Sequence, residues 1–154
     1  MGKDKRQKNR RDRVMDGIVM KEIQSADELK RVLDLCYGIL GNDHPDLYGY
    51  EAWEKRLIEG IHPLTCAVRD GKVISAVLGR AESETSLIIG FVACDEAYRM
   101  RGYTKALMGF FEDVARKKGY KTITLGSRAD GFYEKCGYRV IARTTGQSVF
   151  QKKL

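Results

Sequence analysis

Apolar residues fall along this chain in two periods, and the switches between them mark out the elements. Behind Ser25 Ala26 Asp27 Glu28, a capping-box sequence, Leu29, Val32, Leu33, Cys36 and Leu40 recur at three- and four-residue spacing up to Gly41, which predicts a helix with one buried stripe. A polar loop from Asn42 to Gly49 follows, then Tyr50, Trp53, Leu57 and Ile58 predict a second helix closed by Gly60. The longest stripe is Tyr103, Ala106, Leu107, Phe110, Phe111 and Val114, with Lys105, Glu112, Asp113, Arg116 and Lys117 left outward and a stop at Lys117 to Gly119. Strand-like runs cover Gly17 to Glu22, Leu64 to Arg69, Lys72 to Arg80, Leu87 to Cys94, Lys121 to Leu125, Tyr138 to Ala142 and Ser148 to Lys152. Asp70 Gly71 is a tight hairpin turn, Ala81 to Thr85 a polar turn, and Ser127 to Cys136 a short helix. This order predicts an α+β chain layered α/β/α, a mixed and mostly antiparallel twisted sheet with helices on both faces.

Composition narrows the picture to one domain. A chain of 154 residues that is 43% hydrophobic can bury one core and not two. The formal net charge of +7 invites a nucleic-acid reading, so its location matters. Residues 1–14 hold seven Lys and Arg against two Asp, a net of +5 that leaves only +2 for residues 15–154. The basic character therefore belongs to a polar tail without hydrophobic periodicity, expected to be disordered, while 15–154 forms the folded unit. Such a tail could dock on RNA by counterion release or simply aid solubility, and nucleic acid is expected as a partner through it alone.

Cysteines at 36, 66, 94 and 136 are too scattered for a zinc site or a disulfide framework, which predicts reduced thiols and no metal. No apolar run approaches the roughly 20 residues that cross a bilayer, and the basic amino terminus lacks the apolar core of a signal peptide. The expected location is the cytoplasm, with no membrane partner.

Candidate chemistry is concentrated where the apolar run ending at Cys94 passes through Asp95 to Tyr98 into Arg99 Met100 Arg101 Gly102 Tyr103 Thr104 Lys105. A strand that enters a basic, glycine-bearing turn opening a helix offers unpaired backbone N–H groups and the positive end of the helix dipole. Those are the requirements for holding a phosphate.

The run Arg99 to Thr104 resembles the R/Q-x-x-G-x-G/A signature of the GNAT N-acetyltransferase superfamily, and Phe132 Tyr133 Glu134 Lys135 Cys136 Gly137 Tyr138 is similar to its F-Y-E-K-x-G-F segment. With both motifs in order, the resemblance extends over about Gly17 to Leu154. It implies the GNAT fold and an N-acetyltransferase that moves an acetyl group from acetyl-CoA to a primary amine in a ternary complex. It implies that Arg99, Met100, Arg101, Gly102, Tyr103, Thr104 and Lys105 cradle the pyrophosphate. Val92, Ala93 and Cys94 would bond the pantetheine arm and acetyl group through their backbone, in a slot where the fourth and fifth of the strands above splay apart. Tyr133 would protonate the departing thiolate.

The predicted helices between Ser25 and Gly60 would line the acceptor side, with Asp43, His44, Asp46, Tyr48, Tyr50 and Trp53 available to it. A small-molecule amine is favoured over a protein acceptor, since no dense acidic patch suits a polycation; homodimerisation stays open. The alternative is a non-catalytic GNAT-fold module that binds CoA, or RNA or a ribosome.

Three features depart from the family pattern. No carboxylate lies on the strands Leu87 to Cys94 or Lys121 to Leu125, so the general base is unassigned among Glu82, Glu84, Asp95, Glu96, His44 and His62. Thr104 stands where the motif has Gly or Ala, and its branched Cβ crowds the turn. Gly126 occupies the place of a frequent asparagine, so one contact is expected to be missing.

Overall fold

The computed structural model describes residues 12–154 and contains one eight-stranded sheet. In chain order the strands are β1 (Arg13–Met15), β2 (Ile18–Glu22), β3 (Leu64–Arg69), β4 (Lys72–Ala81), β5 (Ser86–Cys94), β6 (Thr122–Ser127), β7 (Arg139–Thr144) and β8 (Gln147–Lys153). The spatial order is β1-β2-β3-β4-β5-β6-β8-β7, and every neighbouring pair is antiparallel except β5 with β6. The helices are α1 (Ala26–Leu40), α2 (Pro45–Tyr48), α3 (Tyr50–Glu59), α4 (Tyr103–Lys117) and α5 (Asp130–Lys135).

Local chemistry explains the boundaries. Ser25 caps α1 by accepting from the Glu28 N–H at 3.1 Å, but the Glu28 carboxylate turns to Lys21 Nζ at 2.9 Å. The capping box is thus half used for the cap and half for tying α1 to β2. The loop after Gly41 holds the short α2, started by Pro45 at the first helical position. The helix read from Ser127 to Cys136 is shorter than its sequence span, because Ser127 stays in β6 opposite Ser148 while its hydroxyl accepts from the Ala129 N–H.

The tail boundary after residue 14 falls inside a strand. Arg13–Met15 pairs with Met20, Val19 and Ile18 of β2, and Arg13 bonds Asp113 on α4. The remainder of the tail reading, residues 1–11, lies outside the described residues.

Two cores flank the sheet. On one face α4 and α5 bury Leu107, Phe111, Ile123, Tyr133 and Phe150; on the other, α1 and α3 bury Leu29, Leu33, Trp53, Leu78 and Phe91. A buried network fixes the first face, with Glu112 of α4 accepting from Lys152 Nζ at 2.9 Å and Tyr138 Oη at 3.0 Å. Burial and this pairing push the Tyr138 hydroxyl far above the usual phenol range.

The strand that matters most for function is irregular at its centre. Phe91 pairs with Leu78 and Ile89 with Gly79, so Gly90 is an extra residue, a β-bulge. The bulge reverses the alternation: Leu87 and Ile89 face the α4 core, while Phe91 and Ala93 face the α1 core. Only glycine fits there, since a Cβ at residue 90 would lie 2.8 Å from the Tyr48 ring and 2.9 Å from the Trp53 ring.

Candidate functional site

Beyond the bulge, β5 loses its second neighbour. Its parallel pairing with β6 covers only Ser86, Leu87 and Ile88 against Thr122, Ile123 and Thr124, after which the two strands diverge. The result is a slot walled by Ile89–Cys94 on one side and Leu125–Ser127 on the other. Which backbone groups enter it follows from one bond. The Asp95 N–H donates to Ile74 O on β4 at 2.7 Å, so by the alternation of an antiparallel ladder Ala93 also turns to β4, and Val92 and Cys94 turn to the slot. Ser75 Oγ donating to Ala93 O at 2.8 Å agrees. Of the three strand residues read from sequence, Val92 and Cys94 present their N–H and C=O to the slot; Ala93 is committed to the sheet and the α1 core.

The open end of the slot meets the amino terminus of α4. Asp95 caps a 3₁₀ turn, Glu96–Tyr98, by accepting from the Ala97 N–H at 2.9 Å. That bond, with Lys72 at 3.3 Å, holds its carboxyl below the usual carboxylate range. Arg99 leaves this turn with Nε donating to Cys94 O at 3.2 Å, tying the turn to the mouth of the slot. Met100 and Gly102 both take left-handed backbone, φ 63° and 81°, and Gly102 is the N-cap of α4 without any side-chain cap.

The first helical bond is made by the Ala106 N–H to Gly102 O, so the N–H groups of Tyr103, Thr104 and Lys105 have no acceptor within the helix. No acidic residue sits in that first turn, and Arg101, Gly102 and Lys105 are exposed around it. A dianionic pyrophosphate fits this set: free donors, a positive dipole end, three cationic side chains and open space above Gly102. Met100 is fully exposed and contributes by backbone shape alone, while Tyr103 is buried and anchors the helix in the core.

Tyr133 of α5 approaches the same slot from the α4 face. It is buried against Phe132, Tyr138 and Phe150, with Ser127, the last residue of β6, close enough to act on its hydroxyl. Burial pushes its hydroxyl up to about 12, so it remains a protonated donor across the physiological range. Across the slot at Gly126, a Cβ would lie 2.6 Å from Gln147 Nε2. The Gln147 carboxamide of β8 thus fills the space that a side chain at residue 126 would occupy.

The α1–α3 face carries a second group of residues. Tyr48 stacks on Trp53 at 5.6 Å and both pack on Phe91, next to the bulge. Two arginines border this aromatic group. Arg56 lies 4.4 Å from the Trp53 ring and 5.8 Å from Tyr48, and Arg80 lies 5.7 Å from Tyr48 while its Nε donates to Tyr48 Oη at 3.2 Å. Burial and the Arg80 charge lower the affinity of Arg56 for its proton. Asp34, on α1, accepts from Tyr50 Oη, and Tyr37 Oη donates to Tyr48 O at 2.6 Å, so Tyr50 braces the helices rather than facing the slot.

The candidate bases fare differently. His62 Nδ1 accepts from the Ala81 N–H at 2.9 Å and Nε2 lies 3.4 Å from Glu59, and burial holds the ring in its neutral form. Its one lone pair is therefore already used. Glu82 and Glu84 lie on the β4–β5 turn, about 20 Å from Val92 by strand rise, at the closed end of the slot. Asp95 is held ionised by its cap and Lys72, and His44 and Glu96 are exposed. His62 is thus already occupied and Glu82 and Glu84 stand away from Val92, while nothing in the structure assigns Asp95, Glu96 or His44 as the base.

Sequence reading missed Arg56, Arg80, Ser127 and Gln147, which only the fold brings to the site. It also missed the bulge, although a glycine inside an apolar strand signals one. A separate cleft lined by Arg13, Phe110, Asp113 and Lys117 lies at the far end of α4 and shares no residue with the slot. The described residues contain no His/Cys/Asp/Glu group able to hold a metal, and no helix among them is long and apolar enough to cross a membrane.

Comparison with known proteins agrees with this geometry. The family model described as the acetyltransferase (GNAT) family matches residues 26–138. Among solved structures, Ard1 from Thermoplasma volcanium is 20% identical with a TM-score of 0.72, over 90% of this chain and 98% of that one. PaiA N-acetyltransferase from Thermoplasma acidophilum, in complex with coenzyme A, is 15% identical with a TM-score of 0.73, over 89% and 99%. The aminoglycoside 6'-N-acetyltransferase from Enterococcus faecium is 14% identical with a TM-score of 0.69, over 87% and 96%. No curated protein matches the chain by sequence.

Proposed function

The chain belongs to the GNAT acetyltransferase family, and we propose that it transfers the acetyl group of acetyl-CoA directly to a primary amine on a small molecule. The observation that carries this reading is the slot left where β5 and β6 part after Ile88, opening onto the unpaired amino terminus of α4. Bound there, acetyl-CoA supplies a thioester, an acyl group already activated for attack. The N–H groups of Tyr103, Thr104 and Lys105, with Arg99, Arg101 and Lys105, hold the pyrophosphate. The slot-facing N–H and C=O groups of Val92 and Cys94 align the pantetheine arm, and an N–H there stabilises negative charge developing on the acyl oxygen.

Tyr133, kept protonated by burial, donates its proton to the sulfur as the C–S bond breaks; Ser127 holds the phenol in place. With no base assigned, the ammonium first loses one proton to water, from an unperturbed pKa of roughly 10.4, and the second proton, released from nitrogen as the C–N bond forms, returns to the Tyr133 phenolate. Gln147 supplies the carboxamide that the family pattern places at residue 126.

A thiol-release assay over a panel of primary amines tests the reading. Acetylation of at least one amine with stoichiometric CoA release is expected. CoA binding without transfer to any amine would instead identify a non-catalytic CoA-binding module.

A further inference from the structure

On the acceptor side two arginines stand beside Tyr48. Among the described residues neither Arg56 nor Arg80 forms an ion pair, and the only acidic group acting on Arg56 is Glu59, itself next to His62. Arg56 Nη1 is buried without any hydrogen-bond partner. Two guanidinium groups around one tyrosine repel each other, and a buried unpaired donor is costly to leave unmade. An oxyanion held by the partly exposed N–H groups of the two arginines would relieve that repulsion, in the forked geometry that arginine favours.

The position is also suited to an acceptor. Arg80 stands opposite Ile88 on β5, the last residue paired before the slot opens, and Ile88 stands opposite Thr124 of β6. Helices α1 and α3 pack over β3 to β5 on this face, and beside Ile88 the sheet continues to Thr124 and Gln151, whose side chains bond at 3.4 Å. The bulge residue Gly90, which touches Tyr48 and Trp53, is two residues from Val92, about 7 Å by strand rise.

Resting on the acetyltransferase reading, we infer that the acceptor is a primary amine that also carries an oxyanion, and that Arg56 and Arg80 clamp this group beside Tyr48 while the amine points to Val92. Polycationic amines are excluded by the same pair of unneutralised charges. Arg80, opposite Ile88, stands four residues from Val92, about 13 Å by strand rise, a separation that favours an ω-amino carboxylate over an α-amino acid.

Trp53, the single tryptophan, reports on the clamp because Arg56 lies 4.4 Å from its ring. Its emission is followed while acetate, inorganic phosphate, 6-aminohexanoate and neutral hexylamine are titrated into the full chain, with chloride matching ionic strength. A saturable change with the anions and none with hexylamine is expected, weakened roughly tenfold in R80Q and in R56Q. Acetate and phosphate distinguish a carboxylate from a phosphate as the preferred group. If either variant loses its native circular-dichroism spectrum, R80K, which keeps the charge without the fork, takes its place and is expected to weaken binding as well. No saturable change with any of the three anions in the unaltered protein, or equal changes in the variants, overturns the inference. This readout needs no acyl transfer, so a separate CoA titration distinguishes failure of the clamp from failure of the acetyltransferase reading.

Discussion

The two sides of the slot are built in opposite ways. The proposed donor side is one continuous segment, Val92 to Lys105, in which strand end, 3₁₀ turn and helix start follow each other and the backbone would do most of the binding. The proposed acceptor side is drawn from Tyr48, Trp53, Arg56, Arg80, Thr124 and Gln151, residues on five elements whose side chains would do the work. A backbone cradle depends on a few dihedral angles and tolerates sequence change around them. A side-chain clamp can be rebuilt residue by residue, which lets one fold keep its donor and change its acceptor.

Substitutions on each side should therefore separate donor binding, transfer and acceptor choice. The largest effect is expected for Tyr133→Phe, which removes the proton donor: kcat should fall roughly 100-fold while CoA affinity changes little. An unchanged kcat would make Tyr133 a core residue only. Its pH profile sharpens the point. Because the hydroxyl is raised to about 12, it stays protonated, and kcat/KM should climb with pH as the amine deprotonates, without a falling limb from this group until the pH nears that value. A fall near pH 10 would contradict the buried setting of Tyr133.

Next in size, Gly102→Val forces a β-branched residue to φ 81°, costing about 1–3 kcal/mol at the N-cap. Calorimetry should show CoA affinity lowered roughly tenfold or more, with the Trp53 response to anions intact. Gly90→Ala places a methyl group against Tyr48 and Trp53 and should destabilise the chain by about 1–3 kcal/mol in denaturant melts, with a shift in Trp53 emission. The smallest change is expected from Thr104→Ala, which relieves the branched residue in the first turn of α4. CoA affinity should rise about twofold. A loss would mean that the Thr104 hydroxyl is itself a phosphate ligand.

How much of this was legible in the sequence follows the same division. Periodicity located α1, α3 and α4, since each buries one face against the sheet, and apolar runs located most strands, which are covered on both faces. Ser25, Gly41 and Gly60 marked ends by local backbone chemistry that needs no distant partner. The cradle was legible for that reason. The strand at Arg13–Met15 was hidden in a run of basic residues, because its pairing depends on β2 and its anchoring on Asp113. Ala93 looked equivalent to its neighbours, and only the register with β4 shows that its backbone is already used. Arg56 and Arg80 look like ordinary surface arginines until α3 and β4 bring them to one tyrosine. Gln147 is likewise 21 residues from the glycine it covers.

The central claim is that the slot and the free amino terminus of α4 hold coenzyme A. Titrating coenzyme A into the full chain by isothermal calorimetry tests it without assuming an acceptor. The account predicts one saturable site per chain, weakened in Gly102→Val and unchanged in R80Q; the absence of saturable heat in the unaltered protein would contradict it.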